Sequence, residues 1–175
     1  MKEDDKTGFT IIEVVLVLGI AGLIFLMFLI ALPALQALQR DSAREENISK
    51  LIEAIKKYQT NSRGALPSDW SNNGVFYKQY LGDKLVDPAG EPYVFEVSVC
   101  EQEIAMNECD NPTTRENMAY LNSSSFSSDT RSNIYIVTQA MCANNESLGV
   151  VASSNVRKFA VLQRLERGGI YCEDA

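Results

Sequence analysis

Thr7-Gly8-Phe9-Thr10-Ile11-Ile12-Glu13, followed by a nearly unbroken apolar run to Leu38, decides the architecture of this chain. From Val14 to Leu35 no side chain is charged or strongly polar. A helix over that stretch is roughly 33 Å long at about 1.5 Å per residue, enough to cross a hydrocarbon core about 30 Å thick. Glu13 does not fit a plain anchor, because a carboxylate in an apolar segment costs several kcal/mol unless paired and by default marks a functional position. Three readings of it stand: an interfacial acid favoured by the helix dipole, a protonated and silent carboxyl, or one member of an ion pair.

Working outward, the 175 residues suit one anchored domain, with enough chain beyond residue 45 for a single core. The net charge is −7 and the sequence pI is near 4.7, an acidic balance that argues against nonspecific nucleic-acid binding while leaving room for a local basic patch. There is no histidine, which removes Ser-His-Asp and Cys-His catalysis and His-ligated zinc. With no catalytic constellation in view, the chain is expected to be no enzyme and to hold no cofactor or metal. Cys100, Cys109, Cys142 and Cys172 all lie beyond the apolar run and form no C-x-x-C pair. Two disulfides in an oxidising exterior are expected, with three connectivities open and Cys100–Cys109 with Cys142–Cys172 preferred.

Ahead of the run, Met1 to Gly8 carries Lys2 and Lys6 beside Glu3, Asp4 and Asp5. The apolar stretch is too long for a secretory signal and lacks an A-x-A-like site after it, so a signal anchor fits better. Counting Lys2 and Lys6 against Arg40, Arg44, Lys50, Lys56 and Lys57 favours a cytoplasmic C-terminal side, whereas the cysteines favour an external one.

Gly8-Phe9-Thr10-Ile11-Ile12-Glu13 followed by Val14, Val15, Leu16 and Val17 resembles the class III leader and first helix of bacterial type IV prepilins. The resemblance covers residues 6–38. It implies cleavage by prepilin peptidase between Gly8 and Phe9, N-methylation of Phe9, and a single-pass precursor with its N-terminus cytoplasmic and its C-terminal domain outside. It further implies polymerisation of many copies, through an assembly platform and its ATPase machinery, into an extracellular surface filament (a fimbrium) for adhesion, motility or DNA uptake. Glu13 then becomes the assembly and register charge, facing the new α-amine of Phe9, and Gly19, Gly22 and Pro33 become the positions of helix flexibility. Loss of two lysines and three acids with the leader takes the net charge from −7 to −6. The leader is net acidic where such leaders are usually basic, and Pro33 stands three positions later than the family's usual site. Asp87-Pro88-Ala89-Gly90-Glu91-Pro92-Tyr93 is similar to the D-P-x-G-x-P-Y turn of many pilins and type II secretion pseudopilins, and reads physically as a turn ahead of an extended segment. The rival readings are a type II secretion or competence pseudopilin, and, from another class, an uncleaved single-pass receptor or enzyme.

Past the anchor, Ile48, Leu51, Ile52, Ile55 and Tyr58 recur at three- and four-residue spacing, with Glu45, Glu46, Lys50, Glu53, Lys56 and Lys57 between them. That is one apolar stripe on an amphipathic helix. A helix from about Phe9 to Asn61 is predicted, near 80 Å long if continuous, bent at Pro33 and stopped at Gly64. A short helix is expected near Val75 to Leu81, and strands over Tyr93 to Val99, Asn133 to Gln139 and Lys158 to Leu165. The expected fold is α+β and pilin-like: a long N-terminal helix, half membrane-spanning and half amphipathic, packed on a small antiparallel sheet. The divisions are a leader at 1–8, a transmembrane and filament-core helix at 9–38, an amphipathic half at 39–63 and an external β-rich domain at 64–175. Asn122 to Ser128 reads as an exposed loop, and the acids Glu101, Glu103, Glu108 and Asp110 as a solvated face rather than a calcium loop. Asn47, Asn122 and Asn145 begin N-x-S sequons. Trp70, Tyr77 and Tyr80 are expected in packing rather than on a binding surface.

Overall fold

The computed structural model describes residues 8–71, 74–82, 85–100, 132–143 and 149–175. Contacts divide the chain into two units, Met1–Ala37 and Leu38–Ala175. Helix α1, Ile11–Asn61, contributes to both.

In the first unit, α1 opens where the Thr10 carbonyl accepts the N–H groups of Glu13 (3.1 Å) and Val14 (3.3 Å). The helix continues through Pro33. Its apolar side chains stay exposed, Phe25 at 70 %, Met27 at 73 % and Ile30 at 78 % among them. Among the described residues no layer covers them, so nothing described accounts for their apolar character. The helix is long and apolar enough to cross a membrane, and that window is not buried at all.

The second unit is an α+β domain. Its part of α1 buries Ile48, Leu51, Ile52, Ala54 and Ile55, the stripe read from the sequence. The helix stops with Arg63 and Gly64 at φ 56° and 88° and a Gly64 N–H to Gln59 carbonyl bond of 2.7 Å, which satisfies one of the last free carbonyls. The stripe packs on a four-stranded sheet of order β1-β2-β5-β6, with β1 Val94–Val99, β2 Asn133–Thr138, β5 Phe159–Arg164 and β6 Ile170–Asp174. A second, two-stranded sheet pairs β3 Ala140–Cys142 with β4 Val150–Ala152.

Alternation along the strands builds two apolar clusters. Ile134, Ile136, Phe159 and Val161 join the helix residues, Phe76, Leu85 and Tyr93 in one. Tyr135, Val137, Ala160 and Leu162 join Cys100, Ala140 and Val150 in the other. The register agrees, pairing Ile136 with Val161 and Tyr135 with Leu162. Both faces of β2 and β5 are therefore covered, which is why Ile-Tyr-Ile-Val reads as a continuous apolar run.

One pairing differs from the expected all-antiparallel sheet: β1 runs parallel to β2, with Val94 opposite Asn133 and Val99 opposite Thr138. A parallel return needs a connection of about a dozen residues or more, and the sequence between Val99 and Asn133 is long enough for one. The short helix near Val75 to Leu81 is present as a π-helical turn over Tyr77–Leu81.

Candidate functional site

Gly8, Phe9 and Thr10 precede the helix and are exposed, Phe9 at 84 %. Glu13 sits in the first turn of α1, also exposed. Its carboxylate thus lies at the positive end of the helix dipole. A Cβ built on Gly8, Gly19 or Gly22 meets nothing within 4 Å, so no contact among the described residues demands glycine there.

In the domain, the stripe carries on backwards from Ile48 through Arg44 and Asp41 at the same three- and four-residue spacing, and both charged side chains are buried, at 0 % and 1 % exposure. Arg44 donates Nε to Asp87 Oδ1 at 2.7 Å and Nη2 to Asp87 Oδ2 at 3.0 Å, and reaches Asp41 Oδ1 through Nη1 at 3.1 Å. Burial opposes the charge on Arg44, yet the bonds and Coulombic pull of Asp87 and Asp41 win, and its pKa stands above the ordinary arginine value. Asp41 also accepts the backbone N–H of Glu166 at 2.7 Å and of Arg167 at 3.2 Å. Arg40 closes the group with two 2.7 Å bonds to Glu166.

The turn that presents Asp87 is built by its own sequence. Asp87 Oδ2 accepts the Ala89 N–H at 2.8 Å, its carbonyl accepts the Gly90 N–H at 2.7 Å, and Gly90 takes φ 94°, open to glycine at little cost. Val86, one residue before Asp87, bridges Pro92, and Tyr93 is buried. The sequence showed the turn but not its purpose. Asp41 and Arg44 look like a solvated helix face until the stripe is extended back past Ile48.

Cys142 and Cys172 form a disulfide, joining β3 to β6 and so the two sheets. Cys100 is disulfide-bonded and buried; Cys109 lies outside the described residues, as do the acids of 101–110, Asn122 to Ser128 and Asn145. Asn47 gives its side-chain N–H groups to Tyr93 Oη (3.1 Å) and the Val86 carbonyl (3.2 Å), a packing role on α1. Trp70, Tyr77 and Tyr80 pack on the core, Trp70 against Phe76 with ring centres 5.3 Å apart. No protein family, curated protein or solved structure matches this chain.

Proposed function

We propose that this chain is a type IV pilin-like subunit, made as a membrane-anchored precursor, cut by prepilin peptidase after Gly8, methylated on Phe9 and assembled with further copies into an extracellular filament. The observation that carries the reading is the exposed apolar first unit headed by Gly8-Phe9 and Glu13, continuous in sequence with a helix half that packs on a small sheet. An apolar helix left bare by its own domain suits lipid first and the packed interior of a fibre afterwards. Both surroundings are apolar, so transfer costs little hydrophobic free energy and packing decides the outcome. Contacts that repeat head to tail without closing give open fibres.

Cleavage creates a positive α-amine at Phe9, and in apolar surroundings that amine and Glu13 offset part of each other's desolvation. Met from one subunit to the next, the pair fixes axial register. The Cys142–Cys172 disulfide supports an oxidising, external compartment for the domain. Mass spectrometry of the chain from cells with active prepilin peptidase tests the reading: an N-methylated Phe9 start is expected, and an intact Met1 sinks it.

A further inference from the structure

The apolar run ends at Leu38, and Arg40 and Asp41 follow it on the same helix. At about 1.5 Å per residue they stand roughly 3–5 Å past the run. That is the depth of a headgroup layer, which adds about 5–7 Å to each side of a hydrocarbon core. Asp41 draws a second segment to the same level. It accepts the backbone N–H groups of Glu166 at 2.7 Å and Arg167 at 3.2 Å, so the β5–β6 turn lies beside the helix just past the end of the run.

The arginines at this level are held very differently. Arg40 is closed on Glu166 by two 2.7 Å bonds, and Arg44 is buried against Asp87 and Asp41. The Arg167 guanidinium makes one long bond among the described residues, Nε to Asp41 Oδ2 at 3.4 Å, and its side chain is 55 % exposed. Asp41 is shared with Arg44 Nη1 at 3.1 Å and with the two N–H groups, so it balances Arg167 only in part. Gly168 and Gly169 complete the turn at φ 92° and 91°, and a Cβ on either would meet nothing within 4 Å. The tip therefore offers a fork-shaped cation with open space beside it.

We propose that Arg167 binds the phosphate of a phospholipid headgroup, giving the domain a lipid contact beside its helix. Guanidinium donors suit phosphate oxygens, and an arginine at this depth keeps its charged end in the headgroup layer. A soluble phosphate ester is a poor rival, because the chain carries a net charge of −7 and one cation attracts little against it. The anchor changes that balance by holding headgroups near the tip at high effective concentration. The contact requires only that the apolar helix spans a bilayer, on whichever side the domain stands. Processing at Phe9 and binding of lipid at Arg167 can therefore fail separately.

Full-length chain is placed in phosphatidylglycerol nanodiscs and, separately, in uncharged maltoside detergent, and amide exchange over 165–170 is followed by mass spectrometry. Exchange at the tip is about fivefold slower in nanodiscs, the preference that one interfacial arginine supplies. Residues 62–65, at the other end of the domain's helix, exchange alike in both media. Arg167→Gln abolishes the difference at the tip while its thermal midpoint in detergent matches wild type. Equal tip exchange in the two media overturns the site, as does protection that persists in Arg167→Gln, which marks mere closeness to the bilayer. Faster tip exchange of Arg167→Gln in detergent gives the side chain a structural role and also overturns the proposal. Soluble glycerophosphoglycerol leaves the tip of the detergent-held chain unprotected, and protection by it overturns the lipid assignment.

Discussion

Arg44 and Asp87 face each other through two hydrogen bonds of 2.7 and 3.0 Å, both side chains almost wholly out of water. The pair fastens the turn that precedes β1 to the helix, while Asp41, one turn back, fastens the β5–β6 connection through the Glu166 and Arg167 N–H groups. Three segments distant in sequence thus meet on one buried guanidinium and one buried carboxylate.

Removing one partner leaves the other charged and buried. Asp87→Ala is expected to cost about 3–5 kcal/mol, and Arg44→Leu a similar amount. The double variant should fall short of the sum by about 0.5–3 kcal/mol. Urea unfolding of the four chains, followed by near-UV circular dichroism, measures the cycle, and strict additivity refutes the coupling.

The Cys142–Cys172 bond closes a separation of 30 residues, and its removal by paired Cys→Ser changes should lower stability by about 3–4 kcal/mol in the chain-entropy view. The same variant under reducing conditions tests the attribution. A drop that matches that of the reduced wild type assigns the effect to this bond, provided that Cys100 is reduced in both.

Burial lifts the Tyr93 hydroxyl above the ordinary tyrosine value, with the nearby Asp87 adding to the shift. A raised native pKa means the folded chain holds the proton more tightly, so this stabilisation is complete below about pH 10, the unfolded value, and fades as pH climbs through the native one. Tyr93→Phe should be less stable at neutral pH by about 1 kcal/mol, for want of the Asn47 bond. It should also lose less stability than wild type between about pH 9 and pH 11. Parallel alkaline limbs in a thermal-midpoint titration count against it.

Glu13→Ala leaves Gly8-Phe9 intact, so peptidase cleavage should proceed while fibre yield collapses. Sheared-fibre preparations and electron microscopy read the second outcome, and normal yield removes the proposed register role of Glu13.

Much of this fold was legible in the sequence for concrete reasons. The stripe from Ile48 to Tyr58 has only one helical solution, and the runs ending in β1, β2 and β5 are bounded by turn formers within one or two residues of their observed limits. The β5–β6 hairpin is marked in the sequence only by Gly168-Gly169, both at φ near 90°, because Ile-Tyr-Cys-Glu-Asp is too short and too acidic to announce a strand. β3 and β4, three residues each, lie below the reach of any periodicity. The parallel sense of β1 and β2 is a matter of chain topology, which side-chain pattern does not record. The ion network stayed hidden because its partners are 43 and 125 residues apart, and local spacing carries no trace of either.

The group around Asp41 and Arg44 has a mechanical meaning. Tension applied at Leu38 enters the domain within two turns of Arg40, Asp41 and Arg44, and these hand it at once to the 87–93 turn and to the β5–β6 hairpin. Several bonds then share the load and must fail nearly together, whereas a helix held by apolar contacts alone can peel away one side chain at a time. Pulled by its N-terminal end, this domain resists at its base.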